Sequence, residues 1–211
     1  MMMVLCAWAL GGCGDAPERE IDAGTFDGST YRNEYLGMTI TFPADWSIQD
    51  EQAKQRFRET GQRMLADGSE QMQTAVETGG ARTVDLFTVF QHPFGSPVPS
   101  NPSISAVAES VAHTPGIETG ADYLYHVRRL LANSQVRTEF PVDVYPEMLG
   151  GVEFHVLRAD MMIPAQTVHQ DYYAAIRQGY ALVLTIAYTN DQEREVLREI
   201  LSTLAFAPSG E

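Results

Sequence analysis

Apolar and polar residues alternate with a period of two along Met38-Thr39-Ile40-Thr41-Phe42, which predicts a half-buried strand stopped by Pro43. Thr30 to Leu36 can pair with it across Gly37. Between Asp50 and Glu77 the period becomes helical, and Phe57, Met64, Leu65, Met72 and Val76 fall on one stripe. Gly61 and Gly68 weaken that stretch, so it reads either as one long surface helix or as two shorter ones. Thr83 to Gln91 and Ser103 to Val111 read as strands. Thr119 is placed to cap a helix, with Asp122 reaching back as in a capping box. Tyr123, Leu124, Val127, Leu130 and Leu131 follow at helical spacing and should face the core, leaving His126 on the wet side. Val136 to Val144 reads as a strand that Pro141 pushes to a sheet edge.

The C-terminal third holds three strands, Val152 to Met161, Thr167 to Ile176 and Tyr180 to Tyr188, joined by short turns. A turn centred on Pro164-Ala165 sets His155 opposite Ala174 and His169 opposite Asp160. The last strand is apolar on both faces, so it belongs in the middle of a covered sheet. Asn190 with Glu193 forms a second capping-box pattern, followed by a buried stripe of Val196, Leu197, Ile200, Leu201 and Leu204. Phe206 and Pro208 close the domain. Seven or eight strands with three helices predict an α+β fold: a mostly antiparallel β-sheet flanked by helices in an α/β/α layered sandwich.

Residues 1–12 are apolar and uncharged, and too few to span a bilayer as a helix. They fit the apolar region of a secretion signal. Leu10-Gly11-Gly12-Cys13 resembles the bacterial lipobox, which implies cleavage before Cys13 and fatty acylation (palmitate among the acyl groups) at that cysteine. The Lys/Arg-bearing segment usual ahead of such a signal is missing, and three consecutive methionines suggest a start further upstream. Gly14 to Ser29 holds five acids and one arginine, and reads as a solvated tether. The expected division is therefore signal peptide 1–12, lipidated Cys13 with tether 13–29, one domain 30–208 and a tail 209–211.

Charge narrows the function classes. The 211 residues carry 28 acids against 14 basic groups, a formal charge of −14, with Lys54 the single lysine. General nucleic-acid binding is excluded, because it needs Lys/Arg to neutralise phosphates. An anionic membrane surface would repel the domain, so a membrane link has to come from the anchor on Cys13. The two cysteines are Cys6 and Cys13; processing removes one and modifies the other, which excludes a disulfide, a Cys-based metal site or a Cys nucleophile in the domain.

The motifs of familiar chemistry are missing. No G-x-S-x-G offers a serine elbow, and Lys54 follows Ala53 rather than the glycine of a phosphate-binding loop. The five histidines, His92, His113, His126, His155 and His169, show no close ligand spacing, and a metal shared by His155 and His169 needs a different register. No cofactor, metal site or enzyme activity is expected. The carboxylate pairs Asp50/Glu51, Glu118/Asp122 and Glu193/Glu195 stand where helices begin, a place the helix dipole favours for acids. Tyr172, Tyr173, Tyr180 and Tyr188 could floor a ligand groove or serve as ordinary strand residues. Met161-Met162 reads either as an adaptable contact patch or as core filling. The loop His92 to Pro102 carries four prolines, which suits a partner-binding segment anchored by Phe94 and equally a rigid connector. Phe94, Met161 and Met162 are the candidate partner contacts.

Two segments resemble a known family: Tyr31 to Trp46, YRNEYLGMTITFPADW, and Gly151 to Phe206, with its GGVEFHVLRAD strand, TVHQDYYAAIRQGYALVLTIAY hairpin and NDQEREVLREILSTLAF helix. Both are similar to the PsbP-like superfamily, which includes small bacterial lipoproteins of the LpqN and DcrB types. The resemblance implies an antiparallel sheet flanked by helices, used mostly for docking or accessory roles, and brings no catalytic residues with it. The expected function is a membrane-anchored, extracytoplasmic, non-catalytic interaction module of the bacterial envelope with an envelope protein as partner. The alternative is a lipoprotein that binds a small molecule or metal in a groove between sheet and helix. A hydrolase with an unrecognised site is a third reading.

Overall fold

The computed structural model describes residues 21–66, 83–112, 114–164 and 166–207. Its strands form two antiparallel sheets. The smaller runs β1-β2-β3-β12, from β1 (Thr25–Asp27), β2 (Thr30–Asn33), β3 (Met38–Thr41) and β12 (Ala205–Phe206). The larger has the order β4-β5-β6-β11-β10-β9-β7, with β8 also paired to β9. Its strands are β4 (Ser47–Ile48), β5 (Thr83–Phe90), β6 (Ser103–Ser110), β7 (Arg137–Glu139), β8 (Tyr145–Leu149), β9 (Val152–Ile163), β10 (Gln166–Arg177) and β11 (Tyr180–Tyr188). Three helices are described: α1 (Glu51–Ala66), α2 (Gly120–Ala132) and α3 (Asp191–Ser202).

The C-terminal strands follow the register that their turn demands. His155 stands opposite Ala174 and His169 opposite Asp160. β10 passes into β11 through Gln178-Gly179, both at positive φ (50° and 80°), as the tightest hairpin turns require. β11 lies between β6 and β10 with most of its residues buried. One core fills the space between the two sheets and α3, where Tyr31, Met38, Ile40, Phe154, Tyr173 and Leu197 are each at most 1% exposed. A second core lies on the opposite face, where Leu124 and Leu131 of α2 pack on Leu157, Ala159, Ala174 and Val183. Phe57 of α1 meets Phe90, which alternation along β5 turns away from the first core.

Three expectations need correction. The folded domain begins by Ile21, not Thr30: Ile21 is 8% exposed, and β1 pairs with β2 and sets Phe26 against Tyr31. A single apolar ring in an acidic run hides a strand whose partner supplies the stability. The antiparallel strands expected from the sequence divide between two sheets, the smaller one closed by the last strand, which sets Phe206 opposite Met38 of β3. The edge strand expected over Val136 to Val144 is only β7, Arg137–Glu139; the chain leaves the ladder at Phe140-Pro141, where proline offers no N–H. It returns as β8, which the sequence reading omits and which pairs Tyr145 with Val156. Residues 67–82 lie outside the described residues, so α1 stands for the first part of the expected helix alone.

Candidate functional site

Alternation along β9, β10 and β11 sends Arg158, His169, Asp171 and Tyr188 to the face that α3 covers. Asp171 is 1% exposed. Its Oδ1 accepts from Arg158 Nε at 3.2 Å and from the Tyr188 hydroxyl at 3.0 Å; its Oδ2 accepts from Arg194 Nε at 3.1 Å. Arg158 comes from the position on β9 directly opposite Asp171, and Arg194 from the first turns of α3. That helix is set by Asn190, whose side chain accepts from the Glu193 N–H at 3.0 Å, and by the burial of Leu197, Ile200 and Leu201. One turn beyond Arg194, Arg198 reaches Glu147 of β8 at 2.9 and 3.3 Å and the Tyr173 hydroxyl at 3.1 Å. At the other end, His169 Nδ1 lies 2.6 Å from Asp160 Oδ1, and the His169 ring stacks on Tyr188 at 5.3 Å.

The electrostatics follow from this packing. Burial, reinforced by the negative charge of Asp171, pushes the Tyr188 hydroxyl up to about 12, so it stays protonated and donates. Burial also raises Tyr145, which feels Arg158, Asp171, Glu147 and Arg194 together. Desolvation pulls Arg158 and Arg194 down, but Asp171 carries both above the ordinary guanidinium range. One buried carboxylate ties three strands and a helix together through two guanidiniums and the Tyr188 hydroxyl.

The structure separates several residues that the sequence left open. His155 and His169 face opposite sides of the sheet, because one lies an odd and the other an even step from the Arg158–Asp171 pair along the ladder. His126 is exposed, His92 opens the proline loop, and His113 is outside the described residues. Among the described residues no three His, Cys, Asp or Glu side chains gather as metal ligands. The helix-start acids act as caps: Asp50 accepts from the Ala53 N–H at 2.8 Å, and Asp122 from the backbone of Glu118 and Thr119. Glu193 departs from the box pattern; its carboxylate accepts from the Thr189 N–H at 2.7 Å and the Ser100 hydroxyl at 3.0 Å, not from the N-cap backbone.

Of the candidate contacts, Met161 is 8% exposed and belongs to the second core, where it is filling and not contact surface. Met162 points to the other face and is half-buried. Phe94 is 40% exposed, with its ring seated on Phe57 and Phe90 at 5.8 and 5.4 Å. Its loop is closed at the base, where His92 N–H donates to Asn101 Oδ1 at 2.8 Å and Asn101 Nδ2 donates to His92 O at 2.9 Å. Cys13 lies outside the described residues, and no helix among the described residues is long and apolar enough to cross a membrane. Sequence reasoning missed the Asp171 cluster, although the register that set His169 opposite Asp160 also sets Asp171 opposite Arg158.

No family model matches the chain, and no curated protein matches it in sequence. Solved structures do. The solution structure of cyanobacterial PsbP (CyanoP) from Synechocystis sp. PCC 6803 aligns over 94% of this chain and 99% of that one, at 11% identity and a TM-score of 0.53. The chain has a PsbP-like fold. LpqN of Mycobacterium tuberculosis, a protein described as involved in cell envelope biogenesis, aligns over 81% of this chain and 83% of its own at 15% identity, with a TM-score of 0.45. The PsbP-like fold agrees with the α+β class expected from the two sequence segments.

Proposed function

We propose that this chain is a non-catalytic accessory protein of the bacterial envelope, held at the extracytoplasmic face of a membrane by a lipid on Cys13 and docking on an envelope protein. The observation that carries the docking reading is the presentation of Phe94: a partly exposed ring on an aromatic stack, in a proline-stiffened loop closed at its base. A preformed apolar anchor of this kind loses little conformational entropy on binding. The lipobox-like Leu10-Gly11-Gly12-Cys13 and the PsbP-like fold support the anchored accessory role.

Crosslinking in cells, followed by purification from membranes, tests both parts. A stoichiometric protein partner is expected with the natural chain, lost in Cys13→Ser and weakened about tenfold or more in Phe94→Ala, the range of a central aromatic anchor. Incorporation of labelled fatty acid into the natural chain and not into Cys13→Ser is expected alongside. Membrane retention of Cys13→Ser overturns the anchor, and an undiminished partner with Phe94→Ala overturns the contact.

A further inference from the structure

Arg158 and Arg194 each use only the inner Nε–H on Asp171, whereas Arg198 turns both terminal nitrogens onto Glu147. The Nη groups of Arg158 and Arg194 therefore have no partner among the described residues. Nor does the hydroxyl of Tyr145, which stands on the edge strand diagonal to Arg158. None of these atoms is sealed off: among the described residues, Arg177 Nε is the one buried side-chain nitrogen or oxygen without a partner. The Arg158 and Arg194 side chains are 27% and 19% exposed, so their outer edges reach water while their inner edges are fixed.

Charge points the same way. Two guanidiniums share one carboxylate, so the group of three carries an excess positive charge, and Arg158 and Arg194 repel one another. Of the neighbouring acids, Glu147 is taken up by Arg198 and Asp160 is hydrogen-bonded to His169, so neither is paired with Arg158 or Arg194. In a chain of net charge −14, two preoriented forks with unused donors form a local exception. Donors come from three elements, β8, β9 and α3, and such an arrangement matches oxygens pointing in several directions better than the two coplanar oxygens of a carboxylate.

We propose that the outer edges of Arg158 and Arg194, with the Tyr145 hydroxyl, form a binding site for a phosphate-class oxyanion where α3 meets the sheet. Asp171 is the positioning residue: it holds both forks in place and offsets their mutual repulsion. The site is separate from the docking reading, since a chain that never docks through Phe94 still carries it.

Inorganic phosphate is the probe. It is titrated against the purified full chain at constant ionic strength, with chloride as balance, and followed by calorimetry and thermal unfolding. Saturable binding and a saturable rise in Tm are expected for the natural chain. Arg158→Lys and Arg194→Lys keep the charge on Asp171 but lose the fork, and should weaken phosphate at least tenfold. Tyr145→Phe should weaken it two- to fivefold without disturbing the Asp171 pairs. The control Arg137→Lys, paired with Glu139 on β7, should leave it unchanged. If the lysine variants fail to fold, arginine side-chain NMR of the natural chain decides: phosphate must shift the Arg158 and Arg194 signals and not that of Arg137. No saturation, or equal affinity in natural and variant chains, overturns the site. Vesicles of phosphatidylglycerol against phosphatidylcholine separate the sources: sedimentation of Cys13→Ser that Arg194→Lys abolishes assigns a lipid headgroup, and its absence assigns a free phosphate.

Discussion

At the scale of single residues, Asp171 concentrates the polar energetics of the molecule. It is nine parts or more withdrawn from water, yet each oxygen has a charged donor. Such a carboxylate is expensive to strand and cheap to keep, so its removal is costlier than the net value of its bonds. Asp171→Ala is expected to lower unfolding free energy by about 3 kcal/mol, measured by urea denaturation, because it leaves two guanidiniums facing each other. Arg194→Gln should lower it by about 1 kcal/mol, since Arg158 and Tyr188 still satisfy the acid. If both variants cost the same small amount, the cluster is not the clasp described. Half of this arrangement was legible: a two-residue turn at Pro164-Ala165 puts Asp171 and Arg158 opposite one another by arithmetic. Arg194 was not legible, because its arrival depends on how α3 docks, which no periodicity within the helix specifies. Tyr145 and Glu147 were hidden for a further reason: Pro146 stands between them, and proline argues against a strand unless the strand is an edge.

At the scale of elements, the helices show how exact the docking is. α2 begins at Gly120, where an added Cβ would come within 1.9 Å of the Ala174 carbonyl oxygen on β10. The first helical turn thus rests backbone against backbone, and neither side can yield without moving a strand of the larger sheet. Gly120→Ala is expected to cost about 3 kcal/mol, at the upper end for overpacking, even though alanine is the better helix former. A neutral or stabilising Gly120→Ala in thermal unfolding refutes the contact. The cap just before it has a pH signature. The Thr119 hydroxyl, and then the backbone N–H groups of Thr119 and Glu118, hold the Asp122 carboxyl below its ordinary range. A depressed folded value means that the stabilisation is present above the ordinary aspartate pKa of about 4 and is lost as pH falls through the folded value. Tm of the natural chain should therefore drop more steeply than that of Asp122→Asn below about pH 4, and parallel curves would remove the box from the acid response. This helix and its cap were plain in the sequence because Thr119 and Asp122 are local to each other. β7 and β8 were not plain, because Val136 to Val144 reads as one continuous edge strand, whereas the chain leaves the ladder after Glu139 and returns at Tyr145.

At the scale of the whole molecule, the two ends of the chain complete one sheet. β12 pairs with β3, Ala207 N–H donates to Gly37 O at 2.7 Å, and β1 covers the other side of β2. The small sheet seals the first core, so its integrity depends on residues that the acidic composition of the N-terminal run disguises as tether. Three links fasten that run. The Tyr31 hydroxyl donates to Ala23 O at 2.7 Å, Asn33 Nδ2 donates to Asp22 O at 2.8 Å, and Phe26 lies edge-on to Tyr31 and Phe87. Asn33 is 2% exposed, and its Oδ1 accepts from the Leu36 N–H, so the same side chain fixes both the incoming run and the turn into β3. Cutting the chain at Thr30, where composition puts the boundary, removes Ile21, Phe26 and all of β1, and leaves the Tyr31 hydroxyl and the Asn33 amide without those partners. The buried Ile21 at about 1.5–3 kcal/mol and the partly buried Phe26 at about half that, with two orphaned buried donors at about 1 kcal/mol or more each, come to about half the stability of an ordinary domain. A chain beginning at Thr30 should therefore unfold at a much lower urea concentration than one beginning at Ile21, with amide exchange in β2 and β3 accelerated first. Equal midpoints for the two would return the run to the role of tether and leave β1 an ornament of the edge.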